Sequence, residues 1–222
     1  MDQITPGAWM DYTYMIKKAK DFYVALAADN TKDWWLENKA IYDADLKAPA
    51  LALIDEMAPK LSEMCGEPVT GKLFRPHRDV RFSKDKRPYK EHLHMLWQVQ
   101  AGGKQDPVFF FGIAPDYTTV GTGLMGFDKA VLADWRKFVD LDADRIGKIF
   151  DDAAKAGYVM RDPALKRVPS PYPADHPNAV LLRQKGCVVS GDLPDGDVTD
   201  ALMRGFKDLK PINDLLVSVV CA

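Results

Sequence analysis

At 222 residues, with 47% hydrophobic and 28% charged side chains, the chain is long enough to bury a full core without disulfide or metal staples. Its net charge of −2 disfavours nucleic acid as a bulk electrostatic partner, because such binders are usually basic over a whole face. Three scattered cysteines, an N-terminus with neither basic nor apolar leader, and no long apolar run predict a cytoplasmic protein without disulfides, secretory signal or membrane span.

Thr5 followed by Pro6 predicts a helix start. Met15, Ala19, Phe22 and Leu26 then recur at helical steps on one face. Asp29-Asn30-Thr31 breaks this helix and caps the next, which carries Trp34, Trp35, Ile41 and Tyr42 to about Asp45. Pro49 kinks or restarts the helix, Leu53, Ile54, Met57, Leu61 and Met64 form its buried stripe, and Gly66 ends it. The period then changes. Val69–Phe74 and Arg78–Phe82 read as extended, and Ser83–Lys90 as a charged loop. Leu93, Met95, Trp97 and Val99 alternate with His92, His94, Leu96 and Gln98, which predicts a strand with one apolar side.

Gly102-Gly103 turns into a buried strand at Val108–Ile113, and Pro115-Asp116 turns into Thr118–Leu124. These connections are too short for crossover helices, so the strands form an antiparallel meander rather than a Rossmann arrangement. Asp128 opens a helix with Val131, Leu132, Trp135, Phe138 and Val139 inward, and a second helix spans Asp142–Ala156. Residues 158–177 read as irregular. Ala179–Gln184 reads as a short helix, Cys187–Ser190 as a strand, and Thr199–Val220 as a final helix kinked at Pro211. The predicted fold class is α+β in one domain over residues 1–222. A central antiparallel meander of about four to five strands is flanked by an N-terminal helical layer and C-terminal helices.

Three motifs stand out. The first is Asn30-Thr31-Lys32-Asp33-Trp34-Trp35-Leu36-Glu37-Asn38-Lys39, and the second runs Arg78-Asp79-Val80-Arg81-Phe82-Ser83-Lys84-Asp85-Lys86-Arg87-Pro88-Tyr89-Lys90. The third is Leu165-Lys166-Arg167-Val168-Pro169 with Ala174-Asp175-His176-Pro177 after it. With these motifs the chain, from about Phe22 to Leu216, resembles a conserved family of uncharacterised bacterial and fungal proteins, a domain of unknown function. The resemblance implies one α+β domain and cytoplasmic residence, and supplies no catalytic residues. Trp35 stands where the family usually has Phe, and residues 1–20 read as an N-terminal helical extension.

The second motif lies in the most charged stretch, where Arg75–Lys90 sets seven Lys or Arg against two Asp, a local charge of about +5. Three readings stand side by side. In the first it is an anion site for a phosphate- or carboxylate-bearing small molecule. Arg78, Arg81, Lys84, Lys86 and Lys90 would bind, Tyr89 would hydrogen-bond the ligand, and Asp79 and Asp85 would orient the cations. Lys166 and Arg167 would close over it from a long loop. On an ideal strand Arg78 and Arg81 point to opposite faces, so the two could not share one small ligand. In the second reading the motif is a salt-bridge network, with Tyr89 and Phe82 pinning it to the core. Two Asp cannot neutralise seven cations, so acids such as Asp140, Asp142, Asp144, Asp151 or Asp152 would have to contribute. In the third reading the loop docks an acidic protein or nucleic acid.

Other signals are weaker. His92-x-His94 has the spacing of a metal site but lacks an evident third ligand, so no metal is assigned. His176 before Pro177 reads as a turn residue, and Trp34, Trp35 and Trp97 as core. Asn38 and Lys39 could cap their helix or reach the charged loop. Gly121-Thr122-Gly123 reads as close backbone packing rather than a phosphate cradle. No nucleophile elbow or Cys–His pairing supports covalent catalysis. The cofactor, the reaction and the oligomeric state are left open by the sequence.

Overall fold

The structure, a computed structural model, describes residues 11–222. The predicted helix start at Thr5-Pro6 lies outside the described residues. Helix α1 (Tyr12–Ala28) is capped by Asp11, whose carboxylate accepts the Tyr14 N–H at 2.9 Å, and it buries Met15, Ala19, Phe22, Tyr23 and Leu26. Thr31 caps α2 (Lys32–Ile41), its hydroxyl accepting the Trp34 N–H at 3.3 Å. The chain then passes without a break through a π-helical turn, Tyr42–Lys47, into α3 (Ala48–Cys65). Pro49 explains the wide turn. It has no N–H to donate and its ring crowds the carbonyl four residues back, and one extra residue per turn relieves both. Gly66 ends α3 at φ 75°, where a side chain would be strained.

Six antiparallel strands follow: β1 (Val69–Leu73), β2 (Leu93–Val99), β3 (Val108–Ala114), β4 (Tyr117–Leu124), β5 (Val159–Met160) and β6 (Cys187–Asp192). Their order is β1-β2-β3-β4-β6-β5, with the first four in the expected meander. The two-residue β5 lies inside the stretch read as irregular and pairs with β6. It is too short to carry the period-2 pattern by which a strand is recognised. Helices α4 (Lys129–Leu141), α5 (Ala143–Lys155), α6 (Ala179–Leu182) and α7 (Val198–Val220) complete the α+β architecture, and α7 runs through Pro211. No described helix is long and apolar enough to cross a membrane.

The sheet has two unlike faces. Trp97, Phe109 and Phe111 are fully buried beneath the helices. The Trp97 indole N–H donates to the Ile54 carbonyl of α3 at 3.1 Å, and the Phe206 ring of α7 sits 5.6 Å from Trp97 and 5.0 Å from Phe109. The alternate residues, Leu96, Phe110, Val108 and Val188, are only half-buried and line an open cleft. Gly121 belongs to this second face. A methyl group there would meet the Phe110 ring at 2.1 Å, so the Gly121-Thr122-Gly123 run serves close packing.

Candidate functional site

The segment between β1 and β2 carries the charge. Its base is a narrow hairpin: the Arg78 N–H donates to the Pro88 carbonyl and the Lys90 N–H to the Pro76 carbonyl, each at 2.8 Å, around a single His77–Tyr89 bridge. Beyond that bridge Arg78–Phe82 is not a strand, contrary to the alternation in its sequence. Asp79 Oδ1 accepts the N–H of Arg81 at 3.3 Å, and Asp85 Oδ1 accepts that of Arg87 at 3.0 Å. Each Asp thus takes up the backbone donor two residues on and turns the chain, which removes that donor from any ladder. The repeated Asp-x-Arg tripeptides, Asp79-Val80-Arg81 and Asp85-Lys86-Arg87, are the signal in the sequence that marks these turns.

The same two carboxylates hold guanidinium groups. Asp79 takes Arg81 in bidentate fashion at 2.9 and 2.7 Å. Asp85 takes Arg87 at 2.9 Å and Arg78 at 2.8 Å, and Arg87 also reaches Glu91 at 2.8 Å. Arg78 adds a bond to the Arg87 carbonyl at 3.0 Å. Bonding from Arg87, then Arg78, holds the Asp85 carboxyl well below the usual carboxylate range, and Arg81 does the same for Asp79. Glu91, which the sequence reading passed over, is the third acid of this network.

The remaining cations differ. Lys86 donates to the Val80 carbonyl at 3.1 Å. Arg75, Lys84 and Lys90 pair with no carboxylate among the described residues. Of the acids considered from the C-terminal helices, Asp142 pairs with Arg145 and Asp152 with Lys148 and Lys155, and none pairs with a cation of the Arg75–Lys90 segment. Asp140 lies 3.5 Å from His176, whose Nδ1 accepts the Asn178 N–H at 2.9 Å inside a turn. Seven cations therefore face three carboxylates, Asp79, Asp85 and Glu91.

Anchoring comes from the first motif. Tyr89 is 5% exposed and stacks on Trp35, 3% exposed, with centroids 4.3 Å apart and planes at 13°. Asn30 grips the same residue from both sides: its amide donates to the Tyr89 carbonyl at 3.1 Å and to Glu91 at 2.8 Å, and its oxygen accepts the Tyr89 N–H at 3.1 Å. Nothing local in the sequence shows what Asn30 binds, because its partners lie 59 and 61 positions away. Asn38 and Lys39 do not reach the loop. Asn38 donates to the Trp34 carbonyl at 2.8 Å, and Lys39 pairs with Asp43. Phe82 does not pin it either, being 96% exposed.

A shallow cleft of about 210 Å³ opens beside the network, lined by Arg78, Asp85, Arg87, Lys90, Glu91 and His92 among others. Lys90 sits over the Phe74 ring at 5.2 Å. Burial, and then the neighbouring Arg75, push its pKa down. His92 stacks on His94 at 3.9 Å, and His94 Nε2 is 2.7 Å from the Tyr117 hydroxyl. Burial, then His92 and Lys90, push the pKa of His94 down to about 4, so this imidazole is neutral at physiological pH. The described residues contain no group of three side chains able to hold a metal ion.

Lys166 and Arg167 lie elsewhere. Their loop leaves β5, the sheet edge opposite β1, five strand spacings or roughly 24 Å across. It is tied to α6 through the Leu165 N–H, which donates to the Arg183 carbonyl at 3.1 Å. The structure gathers Arg78, Tyr89 and Lys90 at one cleft, puts Arg81, Lys84 and Lys86 on the adjoining loop, and leaves Lys166 and Arg167 apart.

Residues 18–214 match the conserved hypothetical protein family DUF2461. The chain belongs to this family. No curated protein matches the chain. In this DUF2461 chain the Asn30–Trp35 and Arg78–Lys90 motifs, far apart in sequence, form one physical unit through Asn30, Trp35 and Tyr89.

Proposed function

We propose that the protein binds the anionic group of a small molecule, a phosphate or carboxylate, at the cleft of Arg78, Arg87 and Lys90. The observation that carries this reading is the placement of Lys90. Its ammonium is partly withdrawn from water and has Arg75 as a like-charged neighbour, with no described carboxylate paired to it. An anion seated there relieves a repulsion that the fold otherwise tolerates. Asp85 and Glu91 fix the two guanidinium groups in place, so a ligand would meet preorganised donors. Tyr89 anchors the site through its ring, stacked on Trp35, and lines the same cleft. A cytoplasmic setting agrees with this role. The proposal is one of binding without an assigned reaction.

A second reading has one observation in its favour. Phe82 is 96% exposed, with the Arg81 guanidinium 5.8 Å from its ring centre, as on a docking tip for an acidic protein partner. Calorimetry and thermal unfolding with inorganic phosphate and with acetate separate the two. Saturable binding that Lys90→Met weakens at least tenfold, and that Phe82→Ala leaves alone, is the expected result. No binding by either anion, with Lys90→Met changing only stability, overturns the small-molecule reading.

A further inference from the structure

The open face of the sheet adjoins the cationic cleft at Phe74. That residue lines an apolar cleft of about 290 Å³ together with Leu96, Val108, Phe110, Val188 and Met125. Three cations border it. Lys90 and Lys72 sit over the Phe74 ring at 5.2 and 5.9 Å, and Arg161 lines the far end. None of its lining residues is acidic, and its one imidazole, His94, is neutral and bonded to Tyr117. A half-buried apolar floor on one sheet face, with cations at its rim that no described carboxylate pairs, is complementary to a molecule that is apolar along its length and anionic at one end. A second copy of the chain would have to bring acids to the same rim. The volume, about 290 Å³, lies just below the range of drug-sized ligand sites, about 300 to 1,000 Å³, and suits a small ligand.

We infer that the open sheet face holds the apolar body of an amphipathic carboxylate whose head lies at Lys90. This rests on the anion-binding reading above and adds the ligand's class. The inference joins two adjoining sites through a single residue, Phe74, whose ring lines the apolar cleft and carries the Lys90 ammonium 5.2 Å from its centre. Burial of the ligand's chain on Leu96 and Phe110 supplies affinity, and the ammonium fixes its direction.

The test uses the whole chain and three probes: octanoate, 1-octanol and acetate. Octanoate is expected to bind at least tenfold tighter than either of the others. Leu96→Gln is expected to weaken octanoate about tenfold and leave acetate unchanged, while Lys90→Met weakens both acids. Because Leu96→Gln could disturb folding, magnetisation transfer from the octanoate methyl to the Phe110 ring in the unaltered protein provides a second readout, and its presence supports the assignment. Acetate binding with octanoate no tighter overturns this inference and leaves the head-group site standing. Failure of both acids while inorganic phosphate still binds overturns this inference alone, and failure of phosphate as well overturns the head-group site with it. Equal binding of 1-octanol removes the role of charge and overturns the inference. A concentration-dependent dimer that Leu96→Gln disperses assigns the face to a second copy and also overturns it.

Discussion

The two basic loops of this protein look alike in sequence and are built on different terms. Arg75–Glu91 is closed at its base by the His77–Tyr89 bridge, gripped by Asn30, stacked on Trp35 and laced by three carboxylates. The loop of Lys166 and Arg167 holds its cations in solvent and is tied to Arg183, at the end of α6, through the Leu165 N–H and the Lys166 carbonyl. Density of charge therefore says little about where charged groups meet. What decides is the set of neutral contacts that immobilise the backbone beneath them. Exposed ion pairs contribute about 0–1 kcal/mol each, too little to order a loop against its entropy.

The sharpest way to break this comparison is to remove the stack. Tyr89→Ala empties a buried site beside Trp35 and is expected to cost about 3 kcal/mol in urea unfolding. Amide exchange should then quicken through residues 76–91 and stay unchanged around Lys166. Equal exchange in both loops before the substitution would erase the distinction. A smaller loss, about 1–2 kcal/mol, is expected for Asn30→Ala, which leaves the Tyr89 N–H and carbonyl without their partner. If that variant unfolds at the same denaturant concentration as the parent, Asn30 is not part of the anchor. The smallest effect belongs to the other loop. Lys166→Ala with Arg167→Ala should change stability by under about 0.5 kcal/mol and leave anion affinity untouched. A drop in phosphate binding would show that the two loops converge after all.

Much of the architecture was legible. Leu93–Val99 alternates so regularly that strand and buried face follow together, and Gly102-Gly103 and Pro115-Asp116 gave the meander its turns. Arg78–Phe82 misled because Asp79-Val80-Arg81-Phe82 alternates charged and apolar side chains as a strand does. The deciding interaction was local, an Asp bonding the backbone two residues ahead. The candidate site was legible in its cations and illegible in its geometry. By charge alone Lys166 and Arg167 are candidates to close over the same anion as Lys90, yet strand order puts β5 at the far edge, and no residue pattern in the loops encodes that order. Asn30 and Glu91 were missed for the same reason, since their roles exist only after α2 docks on the loop.

The grip of Asn30 on Tyr89 has a consequence for how this fold tolerates change. One side-chain amide supplies both the acceptor and the donor that a neighbouring strand would otherwise offer, so a single residue sets the register of everything after it. Between His77 and Tyr89 the arc hangs from its two ends, and lengthening it costs only the slow logarithmic entropy of a larger loop. Between Tyr89 and Leu93 there is no such slack. One inserted residue there would turn Trp97 out of the interior and Leu96 into it, so insertions belong to the arc and are barred from the short rod that follows.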